Sequence, residues 1–353
     1  MATADVTVHG AGIFGLSCAY TLLRRGARIQ VIDPNGVAAG ASGGIVGALA
    51  PHTPENWNDK KQFQLESLIL AETFWADVAA VAGKSPGYGR LGRIQPVLDD
   101  RALDLAKARA VGAERHWKGH AVWQVVESRG LGDWAPFSPT GYLIRDTLSA
   151  RLHPRQACLA LAAAIQSLGG EILSEAAPSG LQLWATGTAG LDALSEDPRA
   201  PVGTGVKGQA ALLALDRRDA PQLFADGIHI IPHADGTTAI GSTSERDYTA
   251  PDTTDDQVDD LVERARILCP AIRQAPVIGK WAGLRPRARS RAPMLGPWPG
   301  RPGHFIANGG FKIGFGMAPK IAEVMADLIL ESRDTIPQSF RVEASLPAQT
   351  SKA

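Results

Sequence analysis

Cysteine is scarce in this chain of 353 residues: only Cys18, Cys158 and Cys269 occur, an odd and widely spaced set without a CxxC pair. Such a set excludes a disulfide framework and a thiolate zinc cluster; it fits reduced thiols in a cytoplasmic protein, and no metal site is expected. Net charge is absent too. Lys+Arg and Asp+Glu both count 36, so no global field draws the chain to a membrane surface or to nucleic acid, which is an unlikely partner without a local patch. No apolar run approaches the ~18 residues of a spanning helix, and no basic segment followed by a long apolar stretch opens the chain. Neither a membrane span nor a signal peptide is therefore expected, and no Ser-His-Asp triad stands out. Glycine, by contrast, is plentiful at 38 residues, and the glycines are grouped.

The first group lies in Val6 to Asp33. Val6 and Val8 suit a buried parallel strand. Gly10-Ala11-Gly12-Ile13-Phe14-Gly15 follows, then apolar Leu16, Ala19, Tyr20, Leu22 and Leu23 at helical spacing, a stop at Gly26 and a second strand at Ile29 to Ile32. Each glycine has a task in a dinucleotide-binding βαβ unit. Gly10 turns the chain tightly into the helix, Gly12 keeps side chains away from a pyrophosphate, and Gly15 lets helix and strand approach. Phosphates would sit on the free N–H groups at the positive end of the helix, without any lysine. Asp33, 18 residues after Gly15, could accept from both hydroxyls of an adenosine ribose.

A second glycine-rich stretch, Gly40-Ala41-Ser42-Gly43-Gly44-Ile45-Val46-Gly47, leads into Ala48, Leu49 and Ala50. Bare backbone N–H groups there can approach a phosphate or a ring system, and Ser42 adds a hydroxyl, so the cofactor is expected to be longer than a mononucleotide. Helices are expected at Phe63 to Val81 and Pro154 to Leu168, with helix signals weak from Gly83 to Tyr142. Leu181 to Gly190 reads as a buried strand entering a Thr-Gly turn. Ile228 to Pro232 and Thr237 to Gly241 read as a hairpin through His233-Ala234-Asp235-Gly236. Asn308-Gly309-Gly310-Phe311-Lys312-Ile313-Gly314 opens the last helix, whose positive end suits charge developing on a cofactor.

These pieces, in this order, resemble the FAD-dependent family of D-amino-acid oxidase, glycine oxidase and monomeric sarcosine oxidase, with glycine oxidase the closest likeness. The resemblance spans about residues 5 to 342 and rests on GAGIFG with Asp33, GASGGIVGALAP, LWATGTAG, VGTGVKGQ, IHIIPHADGTTAIGST, WAGLRP and ANGGFKIGFGMAPKIAEVMADLI. It implies an α/β fold: a discontinuous Rossmann-like FAD-binding domain (1–82, 146–205, 280–342) and a substrate-binding domain with a mainly antiparallel sheet (83–145, 206–279), followed by a flexible tail at 343–353.

The implied activity is oxidation of a small amine or amino acid, such as glycine, sarcosine or a D-amino acid, by hydride transfer to noncovalent FAD. The resulting imine then hydrolyses. The residues carried over for the cofactor are Gly10, Gly12, Ile13, Phe14, Gly15 and Asp33; Ala41, Ser42, Gly43, Gly47, Ala48 and Leu49; Ala185, Thr186 and Gly187; and Gly310, Phe311, Lys312, Ile313 and Gly314. Arg285 of WAGLRP and Lys312 would face the substrate carboxylate, and His229 matches an active-site-lining position. The plainer readings are an ion pair for Arg285, a solvated lysine for Lys312 and, as the better reading, simple strand packing for His229.

Three departures from the family pattern stand out. Arg287, Arg289 and Arg291 follow GLRP where an acid is usual. In an extended chain they share a face with Arg285, a concentration of charge that could select a second anionic group, contact RNA as in a tRNA-modifying relative, or simply be solvated. The excursion between Glu171 and Trp184 is short. Thr237 and Thr238 occupy the stretch where sarcosine oxidases carry a lysine near the flavin, so oxygen, a quinone or a partner protein all stay open as electron acceptor. Stereochemistry and oligomeric state, a homo-oligomer included, are not readable.

Overall fold

The computed structural model describes residues 3–129, 131–195 and 200–347. Strand Val6–His9 is almost fully buried, as its valines require, and pairs in parallel with Ile29–Ile32 on one side and Leu181–Trp184 on the other. Around it grows a six-stranded sheet in the order Met294–Pro297, His304–Asn308, Leu181–Trp184, Val6–His9, Ile29–Ile32, Glu171–Leu173, antiparallel only at its first pair. Helices Ile13–Arg24, Asp59–Ala82, Pro154–Ser167 and Gly314–Glu331 share one apolar core with this sheet. Their ends follow local chemistry. The Asn58 side chain accepts from Lys61 N, and Gly83 ends that helix at φ 61°, a conformation glycine adopts without strain.

The second sheet has eight strands in the order Val277–Ala288, Gly203–Leu213, Thr238–Gly241, Ile228–Pro232, Gln222–Ala225, Arg93–Pro96, Tyr142–Asp146, Trp123–Glu127. Its neighbours are antiparallel except at Gln222–Ala225 with Arg93–Pro96. Strand alternation gives it two unlike faces. Ile94, Leu143, Leu223, Ile230 and Ile240 point to one face and pack with Leu261 and Ala265 of helix Gln257–Leu268. The register Phe224–His229–Gly241–Ala210–Trp281 places these residues together on the opposite face, which Gly208, Gly283 and Arg285 also share. Arg93 lies on that face as well. Its Nε donates to Asp146 Oδ2 at 2.9 Å, both groups being buried, and Asp146 Oδ1 accepts from Ser149 N at 2.8 Å.

Four details depart from the sequence reading. An 18-residue helix, Asp100–Trp117, occupies the stretch where helix signals are weak. It is mostly polar, only Ala106, Ala113 and Trp117 are buried, and its start is set by the Asp99 side chain accepting from Ala102 N. The boundaries expected at 205/206 and 279/280 fall inside Gly203–Leu213 and Val277–Ala288, two strands paired along their length. The short turn Val342–Ser345 has Val342 and Ser345 buried, so 343–347 do not form a loose tail; the rest of that expected tail lies outside the described residues. The arginine run does not keep to one face either, because the strand ends at Ala288: Arg285 is buried and Arg287 half-buried, whereas Arg289 and Arg291 are exposed and Arg291 turns to φ 59°. No helix among the described residues is long and apolar enough to cross a membrane, and Cys18, Cys158 and Cys269 are buried free thiols.

Removing one member of the buried Arg93–Asp146 pair leaves an uncompensated charge. Asp146→Ala is expected to lower unfolding stability by about 3–5 kcal/mol, measured by denaturant titration; a loss below about 1 kcal/mol would show that the pair contributes little.

Candidate active site

The carboxyl ends of strands Val6–His9, Ile29–Ile32, Leu181–Trp184 and His304–Asn308 open into a cleft of about 640 Å³, the place where open α/β sheets bind ligands. The edge strand of the eight-stranded sheet, Val277–Ala288, closes it through Trp281, Ala282, Gly283, Leu284 and Arg285. One cleft thus collects both glycine loops, the Thr-Gly turn and the start of the last helix.

The glycine loop is held by contacts no larger residue would allow. Gly10 has φ +103°, and a Cβ there would lie 2.5 Å from Ala185 O; at Gly15 it would lie 1.9 Å from Gly10 O. Asp33 fastens this loop directly, its Oδ2 accepting from Ala11 N at 2.8 Å and its Oδ1 from Asn35 N at 2.9 Å. Ser42 Oγ accepts from Ile13 N at 3.0 Å and so ties the second loop to the first helix. Helices Ile13–Arg24 and Gly314–Glu331 both begin at the cleft, and neither Gly12 nor Ile313, the residues before them, supplies a side-chain cap. Apart from the Ile13 N–H taken by Ser42, first-turn N–H donors and positive helix ends therefore face one elongated space. Donors for a pyrophosphate at one start, donors for an electron-rich ring at the other, and glycine-rich loops between them fit a long dinucleotide cofactor.

Most residues carried over for the cofactor line this cleft: Gly10, Gly12, Ile13, Phe14, Asp33, Ala41, Ser42, Gly47, Ala48, Ala185, Thr186, Gly187, Gly310, Phe311, Lys312 and Gly314. Gly15, Gly43, Leu49 and Ile313 do not. Gly15 serves helix–strand packing, Gly43 would strike Ala38 O at 2.2 Å if it carried a Cβ, Leu49 is fully buried, and Ile313 is the residue before the last helix. Sequence reasoning missed the Trp281 to Leu284 wall, because WAGLRP carries no strand signal of its own until paired with Gly203–Leu213.

It also missed a clasp at the tip of the hairpin. The buried His233 places Nε2 3.0 Å from Ile45 O and Nδ1 2.9 Å from Thr237 Oγ1, while its ring packs 4.6 Å from that of His153. The eight-stranded sheet thereby grips the second glycine loop. His153, His233 and Asp235 bring potential ligand atoms within 4.8 Å of one another, but both ring nitrogens of His233 already have protein partners.

Arg285 is the most unusual side chain of the site. It is 9 % exposed and lies across Gly208, where a Cβ would fall 1.8 Å from its Nη1. Among the described residues its one side-chain hydrogen bond runs from Nη1 to Thr243 O at 3.3 Å. Glu245 faces it, but that carboxylate lies 3.6 Å from Lys207 Nζ and accepts from Gln209 Nε2 at 3.1 Å and from the Thr243 hydroxyl. Burial pulls the Arg285 guanidinium down to about 10, partly offset by Glu245, so it stays charged at neutral pH. Lys312 is pulled down by burial and by the positive Arg285 and Arg287. His229 does not line the cleft. It packs on Phe224 with ring centroids 4.5 Å apart, its Nδ1 is buried without a partner, and burial with Arg93 beside it lowers it to about 3, which keeps it neutral.

Comparison with known proteins agrees with this geometry. The FAD dependent oxidoreductase family model matches residues 5–328. Glycine oxidase from Pseudomonas aeruginosa is 27 % identical over 92 % of this chain and 94 % of its own length, and that from Pseudomonas putida is 28 % identical over 97 % and 99 %. The crystal structure of glycine oxidase from Bacillus cereus superposes with a TM-score of 0.80 at 20 % identity, covering 94 % of this chain and 96 % of that one.

Two outcomes follow. Asp33→Ala frees the Ala11 and Asn35 N–H groups and is expected to weaken FAD retention about tenfold or more, read as flavin absorbance after gel filtration; undiminished flavin would show that the carboxylate is dispensable. Unfolded, His229 and His233 bind protons below about pH 6.5, whereas in the folded protein burial holds them neutral down to about 3 and about 4. The unfolded state then takes up more protons, and stability falls as the pH drops through that window. Melting temperatures from about pH 7 to about pH 5 should decline, and less steeply in His233→Gln; identical slopes would remove His233 from the account.

Proposed function

The chain belongs to the FAD-dependent oxidoreductase family, and we propose that it oxidises a small amino acid of the glycine, sarcosine or D-amino-acid class whose carboxylate pairs with Arg285. The observation that carries this reading is a buried guanidinium without an acidic partner among the described residues, placed where the sheet face meets the cleft. FAD is the cofactor of this enzyme. When bound it supplies a two-electron acceptor for the hydride on the carbon beside the amine, leaving an imine that water hydrolyses.

The chain's own contribution is positioning. A planar fork of N–H donors can hold a carboxylate by two parallel bonds and so fix the orientation of the adjacent C–H. Gly208 leaves room for the guanidinium and Gly283 for the Trp281 ring, which a Cβ would meet at 1.8 and 2.5 Å. Arg285 and Lys312 together make the site positive, which disfavours an ammonium group and promotes loss of the amine's proton before oxidation. No strong base is required, in keeping with a neutral His229, whose part is to pack the sheet face behind the site. We assign cofactor binding to 1–82, 146–205 and 280–342 and substrate binding to 83–145 and 206–279, with strands Gly203–Leu213 and Val277–Ala288 shared between them. Three buried thiols fit a cytoplasmic location.

Two electron acceptors suit this site. Molecular oxygen would give hydrogen peroxide in proportion to amine consumed. A quinone or a partner protein is favoured by Thr237 and Thr238 standing in the stretch where sarcosine oxidases carry a lysine, their hydroxyls bonded to Asp235 and to Leu215 O. Peroxide measured during turnover separates the two.

Arg285→Ala is expected to keep its flavin while kcat/KM for the best amino-acid substrate falls about 10- to 100-fold, mostly through KM. Unchanged kinetics in a flavin-loaded variant would remove Arg285 from substrate binding.

A further inference from the structure

Three cations gather at one end of the cleft. Arg285 is buried and Lys312 exposed, both lining the cleft, and the half-buried Arg287, just outside its lining, lies two residues along the same strand from Arg285, on the same face. Lys312 Nζ and the Arg287 guanidinium carbon both approach the Phe311 ring, at 5.7 and 5.4 Å from its centroid. The Phe311 backbone is bonded to this strand through its N–H to Pro286 O at 2.9 Å, so the ring and both cations are carried by one paired unit.

Several cations elsewhere are matched closely with acids, Arg25 with Asp327, Arg93 with Asp146, Arg109 with Glu55 and Lys207 with Asp255, while the buried Arg151 donates to the Gly87 and Arg218 carbonyls. Among the described residues, Arg285, Lys312 and Arg287 have no carboxylate within ion-pair distance. Glu245 is occupied by Lys207, and Asp252, at the rim of the cleft, is exposed. An aromatic face offsets a cation only weakly. A single substrate carboxylate therefore leaves an excess of positive charge in a partly desolvated place, and a second carboxylate on the same substrate would relieve it.

We propose that the substrate is a dicarboxylic amino acid, one carboxylate held by Arg285 and the second by Lys312 and Arg287 at the outer end of the cleft. This rests on the assignment of Arg285 made above and adds a specificity-determining residue, Arg287. Arg289 and Arg291 take no part: the strand has ended and both are exposed.

The test uses the FAD-loaded enzyme and two matched sets. Calorimetric binding of the non-oxidisable ligands thiodiacetate against methylthioacetate, and succinate against propionate, reports recognition whether or not turnover occurs. Turnover of iminodiacetate against sarcosine, and D-aspartate against D-alanine, reports the reaction. One or both dicarboxylates should bind about 10- to 100-fold more tightly than the matched monocarboxylate, with a steeper loss as salt is raised. Arg287→Leu should cost that dicarboxylate at least about tenfold more than its partner, and Arg287→Lys should restore part of the difference.

Equal affinities within both pairs, or an Arg287→Leu loss shared equally by mono- and dicarboxylates, would overturn the proposal even if amino acids are oxidised. Tight binding of tRNA that depends on Arg289 and Arg291, without any dicarboxylate preference, would overturn it in favour of a polynucleotide partner. Selective dicarboxylate binding with no amino acid oxidised would sustain the recognition site while removing the oxidation reading on which the substrate class rests.

Discussion

A charged guanidinium kept from water without a counter-ion is costly unless something else supplies the negative charge, and much of the site's architecture serves to hold Arg285 in that condition. Glycine at 208 leaves room for the side chain to lie flat over the sheet. Lys207, on the neighbouring strand, draws Glu245 and Asp255 to itself and so keeps the nearest acid from neutralising the arginine. The strand bearing Arg285 pairs along Gly203–Leu213, which fixes its height above the cleft. An anion arriving from solvent thus meets an oriented receptor whose own desolvation is already built into the fold.

The cleft combines two kinds of order. On the side of the six-stranded sheet, glycines and helix starts leave backbone donors bare, so that side offers a ligand mainly main-chain groups. On the side of the eight-stranded sheet the cleft offers side chains, and small residues at 208, 210, 241 and 283 separate the large ones. Two direct ties keep these halves in register: His233 reaching Ile45 O from the hairpin, and Trp281 packing 3.4 Å from the position a Gly44 Cβ would take. Oxidation of an amine by a bound cofactor depends on such mutual placement more than on acid–base chemistry, which accords with cations lining the cleft and a neutral His229 packed behind it.

The sequence was most legible where the backbone itself has a task. Gly10, Gly12, Gly15 and Asp33 could be placed because a tight turn, a close approach and an acid after the second strand leave few alternatives, and the hairpin through Asp235-Gly236 announced itself by its turn residues. Asp33 was read as a ribose ligand, yet its two oxygens also fasten the loop, a role that depends on where Ala11 and Asn35 fold. Helix Asp100–Trp117 was hidden because it buries little and its charges mask the periodicity. The arginine run shares one face only while the strand continues, and the chain leaves the sheet at Ala288. His233 and the Trp281 wall belong to contacts between segments distant in sequence, which no local pattern records.

The most direct measurement of the central claim is an anaerobic reductive titration of the purified FAD-loaded protein with glycine, sarcosine, iminodiacetate and small D-amino acids, followed by the long-wavelength flavin band. The account predicts that at least one of them bleaches the band at low concentration, and that the Arg285→Ala protein, carrying the same flavin, requires far more of it. A flavin band that no amino acid bleaches, or one that bleaches equally in both proteins, would contradict the assignment of this cleft to amino-acid oxidation at Arg285.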